Sequence, residues 1–176
     1  MKKYNKKIIK LNNGLTEEYF INTNPKAHIA QVKKDKKIYV NKDFDKLSLL
    51  SQKVIIYHER GHKTKSNLII RRLAIIFEII FILTIIHLLL YLRLPEQSII
   101  SMSKNIILVM LSLTSFIGFV WLNEVISDFN SVKNMGKELT IQTIGDIYSK
   151  KRFNIWNDWV MHPPWKLRKK IMGELD

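Results

Sequence analysis

Two stretches interrupt the mixed pattern of polar and apolar positions along the chain. From Leu73 to Leu92 run twenty residues, LAIIFEIIFILTIIHLLLYL, in which Glu78 and His87 are the ionisable side chains. At about 1.5 Å of rise per residue, a helix of that length matches the roughly 30 Å hydrocarbon core of a bilayer. From Ile106 to Leu122 the sequence IILVMLSLTSFIGFVWL carries no charge and ends beside Trp121, a residue favoured at the membrane–water interface. A short linker with Pro95 separates the two. The pattern therefore predicts a hairpin of two transmembrane helices over about 73–92 and 106–122. A chain that crosses and returns leaves its segments 1–72 and 123–176 on the same side.

Outside the hairpin the apolar positions are fewer and periodic. In KLSLLSQKVIIYHERGHKTK, just ahead of the first span, Leu47, Leu50, Val54 and Tyr57 or His58 recur at helical spacing. Near the end, Pro163 and Pro164 form a stiff turn that feeds a last short helix.

Composition sharpens the picture. A length of 176 residues suits one domain of ordinary size. With no cysteine, disulfide scaffolds and thiolate metal sites are excluded, so any metal is held by His, Asp or Glu. The 29 Lys and Arg outnumber 15 Asp and Glu. Eighteen of these cations precede Leu73, two lie in 93–104 and nine follow Leu122. The positive-inside rule then puts both flanking segments, with both termini, in the cytoplasm of a multi-pass cell-membrane protein. The basic start lacks the apolar core of a signal peptide. Lysines scattered beside membrane spans suit anionic headgroups better than nucleic acid, and no nucleic-acid motif accompanies them. Two spans bury little surface in lipid, which leaves room for self-association.

Candidate chemistry sits just before the first span, as His58-Glu59-Arg60-Gly61-His62. Four residues advance a helix slightly more than one turn, so both imidazoles project from one face and can bind one zinc ion, with Glu59 placed as general base. A catalytic zinc needs a third protein ligand and an open position. Glu124, emerging from the second span on the same side, supplies it; Asp128, four residues on, can accept the outer N–H of a ligand histidine. Glu78 is the competing ligand, disfavoured because it lies inside an apolar run; helix–helix contact or a neutral protonated carboxyl is the simpler account of Glu78 and His87. His162 and Arg168, in Met161-His162-Pro163-Pro164-Trp165-Lys166-Leu167-Arg168, would near zinc stabilise an oxyanion. From the residues alone, a helix-capping turn with a basic surface is the better account of them.

The order of these parts, HERGH, two apolar helices, EVISD, then HPPWKLR, resembles the membrane-bound zinc metallopeptidase family of the HtpX heat-shock protease and the type-I CAAX prenyl endopeptidase. The resemblance runs from about Asn24 to Leu175. The wording N-E-x-x-S-D is similar also to thermolysin-like enzymes, in which the glutamate follows the second histidine closely, without an intervening hairpin. The membrane family implies an α+β, mainly α fold: a gluzincin-like catalytic domain made of 1–72 and 123–176, interrupted by the hairpin at 73–122. It implies His58, His62 and Glu124 as zinc ligands, Glu59 as base, Asp128 behind a ligand histidine, and His162 and Arg168 on substrate or transition state. Pro25-Lys26-Ala27-His28-Ile29, with the alternating Lys37-Ile38-Tyr39-Val40-Asn41 after it, is similar to the family's edge strand and its neighbour. Ala27, His28 and Ile29 would then bind an extended peptide by strand addition. Lys26 stands where the family has Asn, while Tyr57 and Arg60 are unusual around the motif, and the family's N-terminal transmembrane helices are missing, as in a minimal form.

The resulting expectation is a membrane zinc endopeptidase acting on membrane-associated polypeptides or peptide precursors at the cytoplasmic face. The alternative is a non-catalytic membrane anchor with a basic binding surface, distinguished by an absence of bound metal.

Overall fold

The computed structural model describes residues 5–12, 14–23, 28–33, 35–92, 99–149 and 160–174. It is mostly helical with a small sheet. Strands β1 (Asn5–Lys10), β2 (Thr16–Ile21), β3 (Ala30–Val32) and β4 (Ile38–Val40) form one sheet in the order β1-β2-β4-β3. β1 and β2 are an antiparallel hairpin, β2 and β4 run parallel, and β3 closes the edge antiparallel to β4. Side chains alternate across a strand, so Ile9, Tyr19, Ile38 and Val40 share one face and pack there on Phe44, Ile55, Ile56 and Tyr57.

The last three of those belong to α1 (Leu49–Gly61), whose first turn is capped by the Ser48 hydroxyl accepting from Ser51 N–H. α1 is covered on two sides. Val54 turns away from the sheet to meet Ile144 of α4 (Lys137–Ser149) and Met172 of α5 (Trp165–Gly173). A helix enclosed this way offers few exposed positions, and Glu59 itself is buried.

Two long helices carry the apolar stretches: α2 (Lys65–Tyr91) and α3 (Ile99–Met135), both long and apolar enough to cross a membrane. Only 11 % and 6 % of their most apolar windows are buried, unlike a helix from a soluble core. They pack antiparallel, with the Phe77 and Phe119 rings stacked at 5.1 Å and Thr84 Oγ1 3.2 Å from Ser112 Oγ. Both helices overrun the predicted spans. α2 begins eight residues early because Thr64 caps it by accepting from Asn67 N–H. α3 continues thirteen residues past Leu122 to Met135, and Gly136 after it, with a φ of +86°, turns the chain into α4.

The sheet departs from the sequence expectation in register. The edge strand is Ala30–Val32, with His28 and Ile29 immediately ahead of it, Ile29 accepting a hydrogen bond from Asn41 N–H at 3.0 Å. Ala27 lies outside the described residues. β1, β2 and α4 were not foreseen.

Candidate metal centre

The final turn of α1 and the polar end of α3 meet side by side. Gly61 makes this approach possible: a Cβ there would lie 2.6 Å from Ser127 Cα. With the helices that close, His58, His62 and Glu124 converge, their ligand atoms all within 4.8 Å of one another. His58 Nε2 and His62 Nε2 are 3.3 Å apart, and lie 3.6 and 3.5 Å from the two Glu124 oxygens. Bonds of about 2 Å at tetrahedral angles set ligand atoms roughly 3.3 Å apart, so the spacing suits a single divalent ion.

The surrounding groups fix how His58 presents itself. Its Nδ1 lies 2.9 Å from Asp128 Oδ1. A carboxylate only accepts, so Nδ1 carries the hydrogen and Nε2 turns a lone pair toward the centre. Asp128 is in turn held by a bidentate fork from Arg168, Nε to Oδ2 at 2.8 Å and Nη2 to Oδ1 at 2.6 Å, and Arg168 Nη1 donates to the Tyr148 hydroxyl at 2.6 Å. Lone pairs facing each other beside a carboxylate repel unless a cation or proton lies among them. The donor set therefore fits a metal: two imidazoles, one carboxylate, and a carboxylate behind the first imidazole.

Charge is strongly felt here. Burial opposes ionisation of Glu124, but His162, His62 and His58 outweigh it and hold the carboxyl well below the usual carboxylate range. Burial likewise opposes a charged His58, yet the hydrogen bond and charge of Asp128, with Glu124 and Glu59, raise it above its ordinary value. Asp128 is held low against its burial by Arg168 and His58.

The sequence-predicted residues around the centre each have a definite place. Glu59 is 6 % exposed and makes no hydrogen bond or ion pair among the described residues. His162 Nδ1 comes within 3.0 Å of Glu124 Oε2 but off the ring's N–H direction, a close approach without an aligned hydrogen bond. Arg168 is 3 % exposed and engaged with Asp128 and Tyr148, and its Nη1 also lies 4.0 Å from Glu124 Oε2, so it acts on the centre directly as well as through Asp128. Glu78 and His87 are exposed on α2, apart from the cluster; His87 stacks on Tyr91. Arg60, odd in the motif, ties α1 to the sheet, with Nη1 3.5 Å from Glu17 Oε2; Lys63 adds a 2.6 Å contact to the same carboxylate.

Sequence reasoning missed Gly61, Asn67, Ser127, Asn130 and Ser131. Ser131 Oγ donates to Val54 O at 2.9 Å and the Asn130 amide to Tyr57 O, pinning α1 to α3. The signal was present: Glu124, Ser127, Asp128 and Ser131 follow 3-4-7 spacing, a polar stripe on one helical face.

The contacts also set the height of the centre. Counting five residues from Phe77 back to Arg72, and five from Phe119 on to Glu124, puts Glu124 level with the last charges before the apolar run of α2. Comparisons with family models, with curated proteins and with solved structures find no match to this chain.

Proposed function

We propose that this chain is a membrane-bound zinc endopeptidase of the kind it resembles, with the hairpin inserted into a gluzincin-like domain and the centre at the cytoplasmic face. The convergence of His58 Nε2, His62 Nε2 and Glu124 carries this reading. Zinc bound there would polarise a peptide carbonyl and lower the pKa of a water to about 7. Glu59, a buried carboxylate without a competing partner among the described residues, takes the proton of the attacking water and delivers it to the leaving amine. His162, beside Glu124, would donate to a developing oxyanion. Asp128 keeps His58 in its ligand tautomer, and Arg168 keeps Asp128 in place. The edge strand β3, with His28 and Ile29 ahead of it, offers backbone to an extended polypeptide. A centre level with Arg72 favours polypeptides that lie against the bilayer.

Metal analysis and proteolysis of an unstructured polypeptide by the purified full chain in detergent test this. About one zinc per chain is expected, lost in His58→Ala and in Glu124→Ala. Glu59→Gln should keep the zinc and lower kcat by about 10²–10⁴-fold. Equal proteolysis by wild type and Glu59→Gln overturns the assignment, and a wild type that binds no zinc leaves the membrane anchor.

A further inference from the structure

The second ligand histidine is oriented by a chain of hydrogen bonds that begins in the first apolar helix. Asn67 sits in the first turn of α2 and is 1 % exposed. Its Nδ2 donates to Gly61 O at 2.8 Å and to Ser127 Oγ at 2.9 Å. A backbone carbonyl can only accept, so the amide must face Gly61 with its NH2 group, and that also points a hydrogen at Ser127.

Ser127 then has a full set of partners. A hydroxyl has one hydrogen and two lone pairs. Its hydrogen goes to Asn123 O at 3.0 Å, and one lone pair accepts from Asn67. The remaining lone pair faces His62 Nδ1 at 3.0 Å. For the contacts of Ser127 Oγ with Asn123 O and with His62 Nδ1 to be hydrogen bonds at once, His62 must carry its hydrogen on Nδ1. Asn123 Oδ1, 3.4 Å from the same nitrogen, is a second acceptor and points the same way. His62 Nε2 is thereby left as a bare lone pair aimed at the centre.

We infer that Asn67 is a positioning residue which, through Ser127, sets the tautomer of His62 and so ties metal binding to the docking of the first apolar helix. Asp128 does the same for His58, but it comes from the helix that also supplies Glu124. Asn67 comes from a helix that contributes no ligand. Without its donation, Ser127 Oγ loses the contact that ties it to α2, so the acceptor facing His62 Nδ1 is no longer held in place and the tautomer with a hydrogen on Nε2, inside the centre, gains population.

The metal-affinity part of this inference rests on the proposed zinc centre; the tautomer part does not. The experiment is therefore made on the full chain in detergent micelles, with and without zinc. In metal-free wild type, ring ¹⁵N shifts should report His62 with its hydrogen on Nδ1, and Asn67→Leu or Ser127→Ala should shift the population toward Nε2–H. Zinc affinity, by chelator competition, should fall about 10–100-fold in either variant, the range for groups supporting a metal ligand. The double variant should bind no more weakly than the worse single one, since both substitutions break one chain. A general loss of packing would instead multiply the two losses. A wild-type His62 with its hydrogen on Nε2, or zinc affinity within twofold of wild type in folded Asn67→Leu, overturns the inference, as does a multiplicative double variant. Should Asn67→Leu not fold, Ser127→Ala decides: an unchanged tautomer with unchanged affinity overturns it. Wild type that binds no zinc but shows the Nδ1–H tautomer refutes the proposed function and keeps the relay.

Discussion

α3 is one continuous helix with two different halves. From Ile106 to Leu122 its side chains are mostly apolar and exposed or half-buried, with Ser112 buried, and its contacts with α2 include a ring stack and one hydroxyl contact. From Glu124 to Ser131 the buried positions are polar: Glu124, Ser127, Asp128 and Ser131 are each less than 9 % exposed. The apolar half faces outward, as a helix in lipid should, where packing is weakly directional. In the polar half, hydrogen bonds and ion pairs hold each buried side chain, and an unpaired group there has no water to turn to. Equal substitutions should therefore have unequal effects in the two halves.

Arg168→Leu should show the largest effect. The substitution leaves Asp128, 1 % exposed, without its bidentate partner. Stranding one member of a buried ion pair costs about 3–5 kcal/mol, to be measured by chemical unfolding in detergent. Arg168→Lys should recover part of the loss, because an ammonium keeps the charge but cannot reproduce the fork. A loss below about 1 kcal/mol for Arg168→Leu, the range of an ordinary hydrogen bond, would erase the distinction between the halves.

Gly61→Ala comes next. Its new methyl would stand 2.6 Å from Ser127 Cα and 3.0 Å from Ser127 Cβ. The nearer atom is backbone, so no rotamer change relieves the clash and α1 must move off α3. Overpacking of this kind typically costs about 1–3 kcal/mol. His62 follows Gly61 directly, so the shift also separates its ring from Glu124. A lower melting temperature together with weaker zinc binding is expected; a lower melting temperature with unchanged zinc binding would show that the centre tolerates movement between its helices.

How far these features were legible in the sequence follows the same division. The apolar stretches, the HERGH spacing and the Glu124–Asp128 pair are local patterns, and they mark which residues meet. Long-range pairing is not local. That Asn67 reaches Ser127, or that Glu17 holds Arg60 and Lys63, depends on where β2 and α2 pack. The β1–β2 hairpin was obscured by lysines, since Lys6 and Lys7 occupy strand positions and pair with Glu18 and Asp45. The resemblance of HPPWKLR gives Arg168 a place on the substrate, and its basic neighbours suggest a surface position; only the fold shows its guanidinium turned inward to Asp128.

The smallest effect is expected from Thr84→Val, a change of similar shape on α2, opposite the apolar half of α3. The Thr84 hydroxyl donates to Phe81 O at 2.8 Å and the Ser112 hydroxyl to Val109 O at 2.9 Å. Both hydrogens are thus engaged within their own helices, and the 3.2 Å contact between the oxygens has none to itself. Interhelical hydrogen bonds between membrane helices average only about 0.6 kcal/mol, so a contact that shares its hydrogen should fall at or below that. Denaturant titration in mixed micelles should find Thr84→Val within about 0.6 kcal/mol of wild type, and zinc binding should be unchanged because the Phe77–Phe119 stack still sets the height of Glu124. A loss as large as that of Arg168→Leu would mean that the hairpin is locked by its hydroxyls, and that the outer half of α3 is as specifically paired as the half that carries the centre.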